Sequence, residues 1–298
     1  MFVNVLRALE AVVLTPKFLL NPSPASYYEY LGDDVIEGQH GKFVDTQKPL
    51  WLNLGYWKTA RRYPEAAAAL ATKLGDAAAL GPNDSLLDVG FGFAEQDFFW
   101  VEKYGVKHIT GVNITAMQVE RSVTRAKERG LDSRIELHVG SATELKFADA
   151  SFEKVTALEC AHHFDTREQF FKEAFRVLKP GGRLATADGT TYEGDGKLTF
   201  INKLSLKRWF VPLANMYTRQ EYCKKLEAIG FVNVKCESIR NYVFPGVVKY
   251  HALRNKGVSL QDAVIELSQD EIDRCVGLEL WKLTGLTDYV IFSADKPA

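Results

Sequence analysis

Ser85-Leu86-Leu87-Asp88-Val89-Gly90-Phe91-Gly92-Phe93-Ala94-Glu95-Gln96-Asp97 is an apolar run that stops on an acid and breaks into a glycine turn. It reads as the first strand of an α/β sheet passing into the first helix. Such a join brings backbone N–H groups to the carboxyl edge of a parallel sheet, where a ligand meets them. A dinucleotide fingerprint would place a third glycine at position 95, where this chain has Glu95. Asp88 argues the same way, because a carboxylate at the strand end repels a pyrophosphate and attracts a cation. S-adenosylmethionine, with an ammonium and a sulfonium, is a ligand of that kind. Taken alone, the stretch is equally compatible with a plain strand-to-helix turn.

Working outward, 298 residues at 46% hydrophobic and 25% charged suit one sizeable core with accessory segments. The formal charge of -1 gives no nucleic-acid footprint. Cys160, Cys223, Cys236 and Cys275 have no paired spacing, so free thiols in a reducing, cytoplasmic setting are expected, with neither a disulfide framework nor a metal site.

Residues 1–14 are apolar but interrupted by Arg7 and Glu10 and ended by Pro16, too short and too charged to span a bilayer, and without the small-residue cleavage site of a secretory signal. On a helix, Phe2, Val5, Leu6, Leu9, Val12 and Val13 share one face. That face suits packing on its own domain or on a partner chain, or peripheral contact of residues 1–20 with a membrane. Residues 15–60 mix prolines with aromatics, among them Tyr27, Tyr56 and Trp57, and read as a helical lid preceding the domain of residues 61–298. Flat rings there suit an apolar acceptor.

Beyond an alanine-rich helix over about 63–80, strands and helices alternate as βαβ units. Strands are expected at 85–89, 108–112, 134–139, 154–158, 183–187, 231–238 and 288–294. Helices are expected at 115–129, 167–178 and 218–229, the second stopped by Pro180-Gly181-Gly182. The last two strands are expected to close the sheet as a hairpin. The fold class is thus α/β, a Rossmann-like seven-stranded, mostly parallel sheet whose last strand is antiparallel. Lid inserts fall at about 189–217 and 241–283.

Five motifs occur in order: Leu87-Asp88-Val89-Gly90-Phe91-Gly92, Thr110-Gly111-Val112-Asn113-Ile114-Thr115, Ser151-Phe152-Glu153-Lys154-Val155, Ala157-Leu158-Glu159-Cys160-Ala161-His162-His163-Phe164 and Arg176-Val177-Leu178-Lys179-Pro180-Gly181-Gly182. With them the chain from about residue 56 to 297 resembles the class I S-adenosylmethionine-dependent methyltransferases. The nearest groups are the rebeccamycin-type sugar O-methyltransferases and the sterol and tocopherol methyltransferases. The resemblance implies S-adenosylmethionine as cofactor, held by Asp88, Gly90 and Gly92 at its methionyl part. Asn113, Ile114 and Gln118 would lie at the ribose, and Ser141 and Ala142 at the adenine. Asn113 and Ser141-Ala142 depart from the acids many relatives carry at these places; an amide still donates and accepts there.

His162 and His163 follow the fourth strand and Asp188 ends the fifth, so an imidazole and a carboxylate can meet across an acceptor. By the same resemblance, His162 or His163 takes the acceptor proton while Asp188 orients it or shares the role. Glu159 is a second base candidate, and alternatively a carboxylate at the cofactor edge or one that anchors a loop. Phe200, Trp209, Phe210 and Tyr217 would cover an apolar substrate, and the 241–283 insert would complete the cap or an oligomer surface. The resulting expectation is methylation of a lipophilic small molecule (a lipid, terpenoid or other natural product) on oxygen. Carbon methylation of an alkene through a carbocation is the competitor, with aromatic faces and Glu159 stabilising the cation. A catalytically silent cofactor-binding subunit and a nicotinamide oxidoreductase are the readings from other classes.

Overall fold

A computed structural model describes residue 23, residues 49–191, 203, 206, 210–254, 264–278 and 288–298. The expectations for residues 1–20 and for Tyr27, Phe200 and Trp209 lie outside these residues, as does the Cys275 side chain.

Helix α1 (Tyr63–Ala78) follows from its alanines: Ala66, Ala67, Leu70, Ala71, Leu74 and Ala78 recur at helical spacing and are all buried, and Glu65 caps the free N–H groups of Arg61 and Arg62. The apolar runs then become β1 (Ser85–Val89), β2 (His108–Asn113), β3 (Ile135–Val139), β4 (Phe152–Leu158), β5 (Leu178–Thr190), β6 (Val232–Ser238) and β7 (Asp288–Asp295). Between them lie α2 (Glu95–Tyr104), α3 (Ala116–Glu128), α4 (Arg167–Val177), α5 (Arg219–Ile229), α6 (Arg240–Arg254) and α7 (Gln269–Leu278).

The strand order is β3-β2-β1-β4-β5-β7-β6, parallel except for β7, which is antiparallel to both neighbours. Two apolar clusters cover its faces. One gathers Leu70, Leu74, Phe98, Trp100 and Val119, and the other Phe170, Phe171, Tyr222 and Phe292.

Two expectations need correction. First, β5 runs from Leu178 to Thr190 instead of 183–187: Pro180 has no N–H to continue a helix, but Leu178 is already extended and pairs with Phe152. Asp188 therefore lies inside the strand, paired with Val290. Second, β6 and β7 pair antiparallel without forming a tight hairpin, because α6 and α7 stand between them in sequence and β7 inserts between β5 and β6. Among the described residues no helix is long and apolar enough to cross a membrane.

Candidate active site

The carboxyl ends of β1, β2, β4 and β5 converge. After β1, Gly90 and Gly92 take positive φ angles of 76° and 58°. At Gly90 a Cβ would lie 2.6 Å from the Cys160 Sγ, so the missing side chain lets the end of β4 close against the end of β1. Cys160 completes that contact by donating its thiol to the Val89 carbonyl at 3.0 Å. Leu52 packs where a side chain at Gly92 would stand.

Asp88 is fully buried and accepts hydrogen bonds from Thr156 Oγ1 at 2.7 Å and Gln96 Nε2 at 3.0 Å. Burial raises its pKa to about 6 against the lowering effect of those bonds. Asp97 lies beside it, and burial followed by the Asp88 charge pushes the Asp97 carboxyl well up, so of the two Asp97 keeps its proton. Glu95, which replaces the third glycine, accepts from the Leu50 N–H at 2.9 Å and pairs with Arg125 at 2.6 Å and Arg129 at 3.2 Å. It ties helix α2 to the segment before α1 and to α3.

At the end of β2, Asn113 donates to Gln118 Oε1 at 2.8 Å, while the buried Gln118 Nε2 has no protein partner. Ile114 beside them is 53% exposed. An unspent amide donor next to an open apolar side chain fits a nucleoside, whose hydroxyls need donors and acceptors and whose ring needs an apolar face. Ser141 meets Thr143, with 2.9 Å between their hydroxyl oxygens, and Ala142 is buried.

The 3₁₀ turn Ala161–His163 follows β4 and carries both histidines, their ring centroids 3.9 Å apart. His162 Nδ1 is hydrogen-bonded to Asp188 Oδ1, which also accepts from the Gly189 N–H at 2.9 Å. The other carboxylate oxygen faces Arg167 Nη2 at 3.0 Å. Burial alone would raise the Asp188 pKa; the Arg167 guanidinium and then the His162 ring more than offset it, so Asp188 stays ionised. His163 goes the opposite way: burial, then the neighbouring His162, push it down to about 3, and its Nδ1 lies 3.3 Å from the Phe210 carbonyl oxygen. The two histidines thus differ in partner, His162 meeting a carboxylate and His163 a backbone carbonyl.

Glu159 joins the segment before α1 to the end of β4 and to β7. Both its oxygens accept from the Leu54 N–H, at 3.0 and 2.9 Å, and Oε1 also accepts from the Tyr289 hydroxyl. Desolvation raises it to about 8, against those hydrogen bonds.

Two expected substrate residues reach the histidine side. Phe210 touches His163 through its carbonyl, and the Tyr217 ring lies under the Arg167 guanidinium at 5.1 Å. Tyr56 and Trp57 do not join them: Tyr56 packs on Tyr242 and Lys73, and Trp57, 2% exposed, is wedged against Gly246 with its indole N–H bonded to the Leu54 carbonyl. Trp57 is a core residue, filling space that Gly246 leaves open.

Residues 87–186 match a family model described as a methyltransferase domain. The erythromycin 3''-O-methyltransferase of Saccharopolyspora erythraea is 36% identical over 280 residues, 91% of this chain and 89% of that protein. The chain belongs to the S-adenosylmethionine-dependent methyltransferases. The methyltransferase is also 38% identical over 150 residues to the 27-O-demethylrifamycin SV methyltransferase of Amycolatopsis mediterranei, covering 49% of this chain and 55% of that one. Among solved structures, the geranyl diphosphate C-methyltransferase of Streptomyces coelicolor A3(2), in complex with Mg2+, geranyl diphosphate and S-adenosyl-L-homocysteine, aligns with a TM-score of 0.66 at 19% identity, over 92% of this chain and 99% of that one. The [4+2]-cyclase SpnF aligns at 0.67 and 20%, over 92% and 95%. At such identities the likeness is one of fold. The methyltransferase uses S-adenosylmethionine and acts on a small molecule.

Proposed function

We propose that this methyltransferase methylates a hydroxyl of a large, mostly apolar natural product of the polyketide kind, with His162 as general base, and that Asp88, Gly90, Gly92, Asn113, Ile114, Gln118, Ser141 and Ala142 hold the cofactor. The observation that carries the base assignment is the hydrogen bond between His162 and an ionised, fully buried Asp188 inside β5. Donating its Nδ1–H to Asp188 leaves the His162 lone pair on Nε2. The cofactor supplies an electrophilic methyl group on a sulfonium. With the methyl passing to the acceptor oxygen and the bonding pair leaving with sulfur as a neutral thioether, His162 Nε2 would take up the hydroxyl proton.

The acceptor class is supported by the names of two relatives, one acting on erythromycin at the 3'' oxygen and one on 27-O-demethylrifamycin SV. Carbon methylation has less support, since the carboxylate expected to stabilise a cation, Glu159, is engaged by Leu54 and Tyr289. Isotope-labelled methyl transfer to a panel of macrolides and ansamycins lacking one O-methyl group, read by mass spectrometry, tests this reading. A labelled ether is expected, together with a fall in kcat of about a hundredfold or more in His162→Gln and Asp188→Asn and an unchanged cofactor Kd. Full turnover in both variants would overturn the base assignment, and label on a carbon skeleton the acceptor chemistry.

A further inference from the structure

Arg167 stands out among the charged groups near the histidines. It opens helix α4, it is fully buried, and the reading of the motifs gave it no role. Its Nη2 faces Asp188 Oδ2 at 3.0 Å and donates to the Gly189 carbonyl at 2.9 Å, while Nη1 donates to the Asn215 carbonyl at 3.1 Å. The guanidinium lies over the rings of Tyr217 and Tyr222, at 5.1 and 5.2 Å. Asn215, itself buried, closes the arrangement. Its Oδ1 accepts from the Arg167 N–H at 2.8 Å, and its Nδ2 donates to the carbonyls of His162 at 3.0 Å and Phe164 at 2.7 Å. The turn bearing His162 is thereby bracketed by one carboxamide from the return of the 189–217 insert.

We propose that Arg167 is a positioning residue for the base, giving the Asp188 carboxylate a permanent cation so that His162 need not supply one. The proposal rests on the reading of His162 as the base. Charge must balance around the fully buried Asp188 carboxylate. A buried carboxylate facing a histidine alone is neutralised most readily by an imidazolium, which has no lone pair to take a proton. With Arg167 on the second oxygen the carboxylate is already balanced, and the first oxygen is left to accept the Nδ1–H of a neutral ring.

The surrounding titratable groups do not replace that cation. His163 stays neutral, Tyr217 and Tyr222 are pushed upward chiefly by burial, and Cys160, Glu159 and Tyr289 all feel the Asp188 charge without offering a positive one. Arginine suits the post because it cannot give up its proton and can hold Gly189 and Asn215 while facing Asp188.

The test needs no acceptor. The titration midpoint of His162 is followed by NMR in full-length protein with 13C-labelled histidine, the resonance assigned with His162→Gln. In Arg167→Gln the midpoint is expected to rise by about one pH unit or more, and in Arg167→Lys, which keeps the charge, to return toward the wild-type value. An unchanged midpoint in folded Arg167→Gln overturns the proposal. If that variant does not fold, Asp188→Asn is compared with Asp188→Asn/Arg167→Gln, which carries neither charge. A higher midpoint in the double variant supports the proposal, and equal midpoints overturn it. A His162→Gln enzyme with full methyl-transfer activity would instead remove the base reading, and the role of Arg167 with it, whatever the midpoints.

Discussion

Glu159 carries a pH dependence that follows from its surroundings. Its carboxyl titrates at about 8, far above an unfolded glutamate, so the folded protein holds a proton there that the unfolded chain has lost. The associated stability is fully present below the ordinary glutamate range and is lost as pH rises through about 8. Urea denaturation at pH 5 and pH 8.5 should therefore show a smaller decline for Glu159→Gln than for the wild type, by roughly 1.4 kcal/mol for each unit of raised pKa the variant removes. The same residue shows where sequence reading runs out. Glu159 stands three positions from His162 in one motif, and both are acid–base residues by type; only the partners, Leu54 and Tyr289 for one and Asp188 for the other, tell their surroundings apart. Arg167 was illegible for a related reason. An arginine at the start of a helix resembles a solvated one, and its burial depends on Asn215, from a stretch with no periodicity to read.

At the level of elements, the glycine turn between β1 and α2 invites a paired comparison. Gly90 and Gly181 have nearly the same backbone angle, φ of 76° and 75°, but a Cβ at Gly90 meets Cys160 while one at Gly181 meets nothing within 4 Å. Alanine at 181 should cost only the left-handed backbone penalty, about 1–2 kcal/mol. Alanine at 90 adds overpacking of about 1–3 kcal/mol and pushes β4 away from β1. Thermal denaturation of the two variants measures the difference, and equal losses would show that Cys160 yields freely. The turn itself was legible because strand, acid and paired glycines form a contiguous pattern with a physical purpose. The length of β5 was not, since Pro180-Gly181-Gly182 looks like a break and the pairing with β7 that carries the strand through Asp188 comes from about a hundred residues away in sequence.

For the whole molecule, the sheet edge that gathers the glycine turn, Asn113 and the histidines also sets how ligands act on stability. S-adenosyl-L-homocysteine at about 100 times its Kd should add about 2.7 kcal/mol to the unfolding free energy, seen as a rise in Tm. Asn113→Ala, which removes the amide that partners Gln118, should weaken that rise at equal ligand concentration, measured from the variant's own ligand-free Tm. A rise as large as that of the wild type would take Asn113 out of the cofactor site.

The place of β7 bears on how the enzyme is made. Of the seven strands among the described residues it is the last to leave the ribosome, but it lies between β5 and β6 and pairs with β5 from Arg183 to Thr190. Until it emerges, the nascent chain presents β5 as an open edge, with Asp188 on it and no Val290 opposite. The carboxylate that meets His162 is therefore among the last groups of this sheet edge to be enclosed. A nascent chain stalled before residue 288 should expose β5 to proteases and chaperones, and β5 should be covered only in chains whose residues 288–295 have left the ribosome.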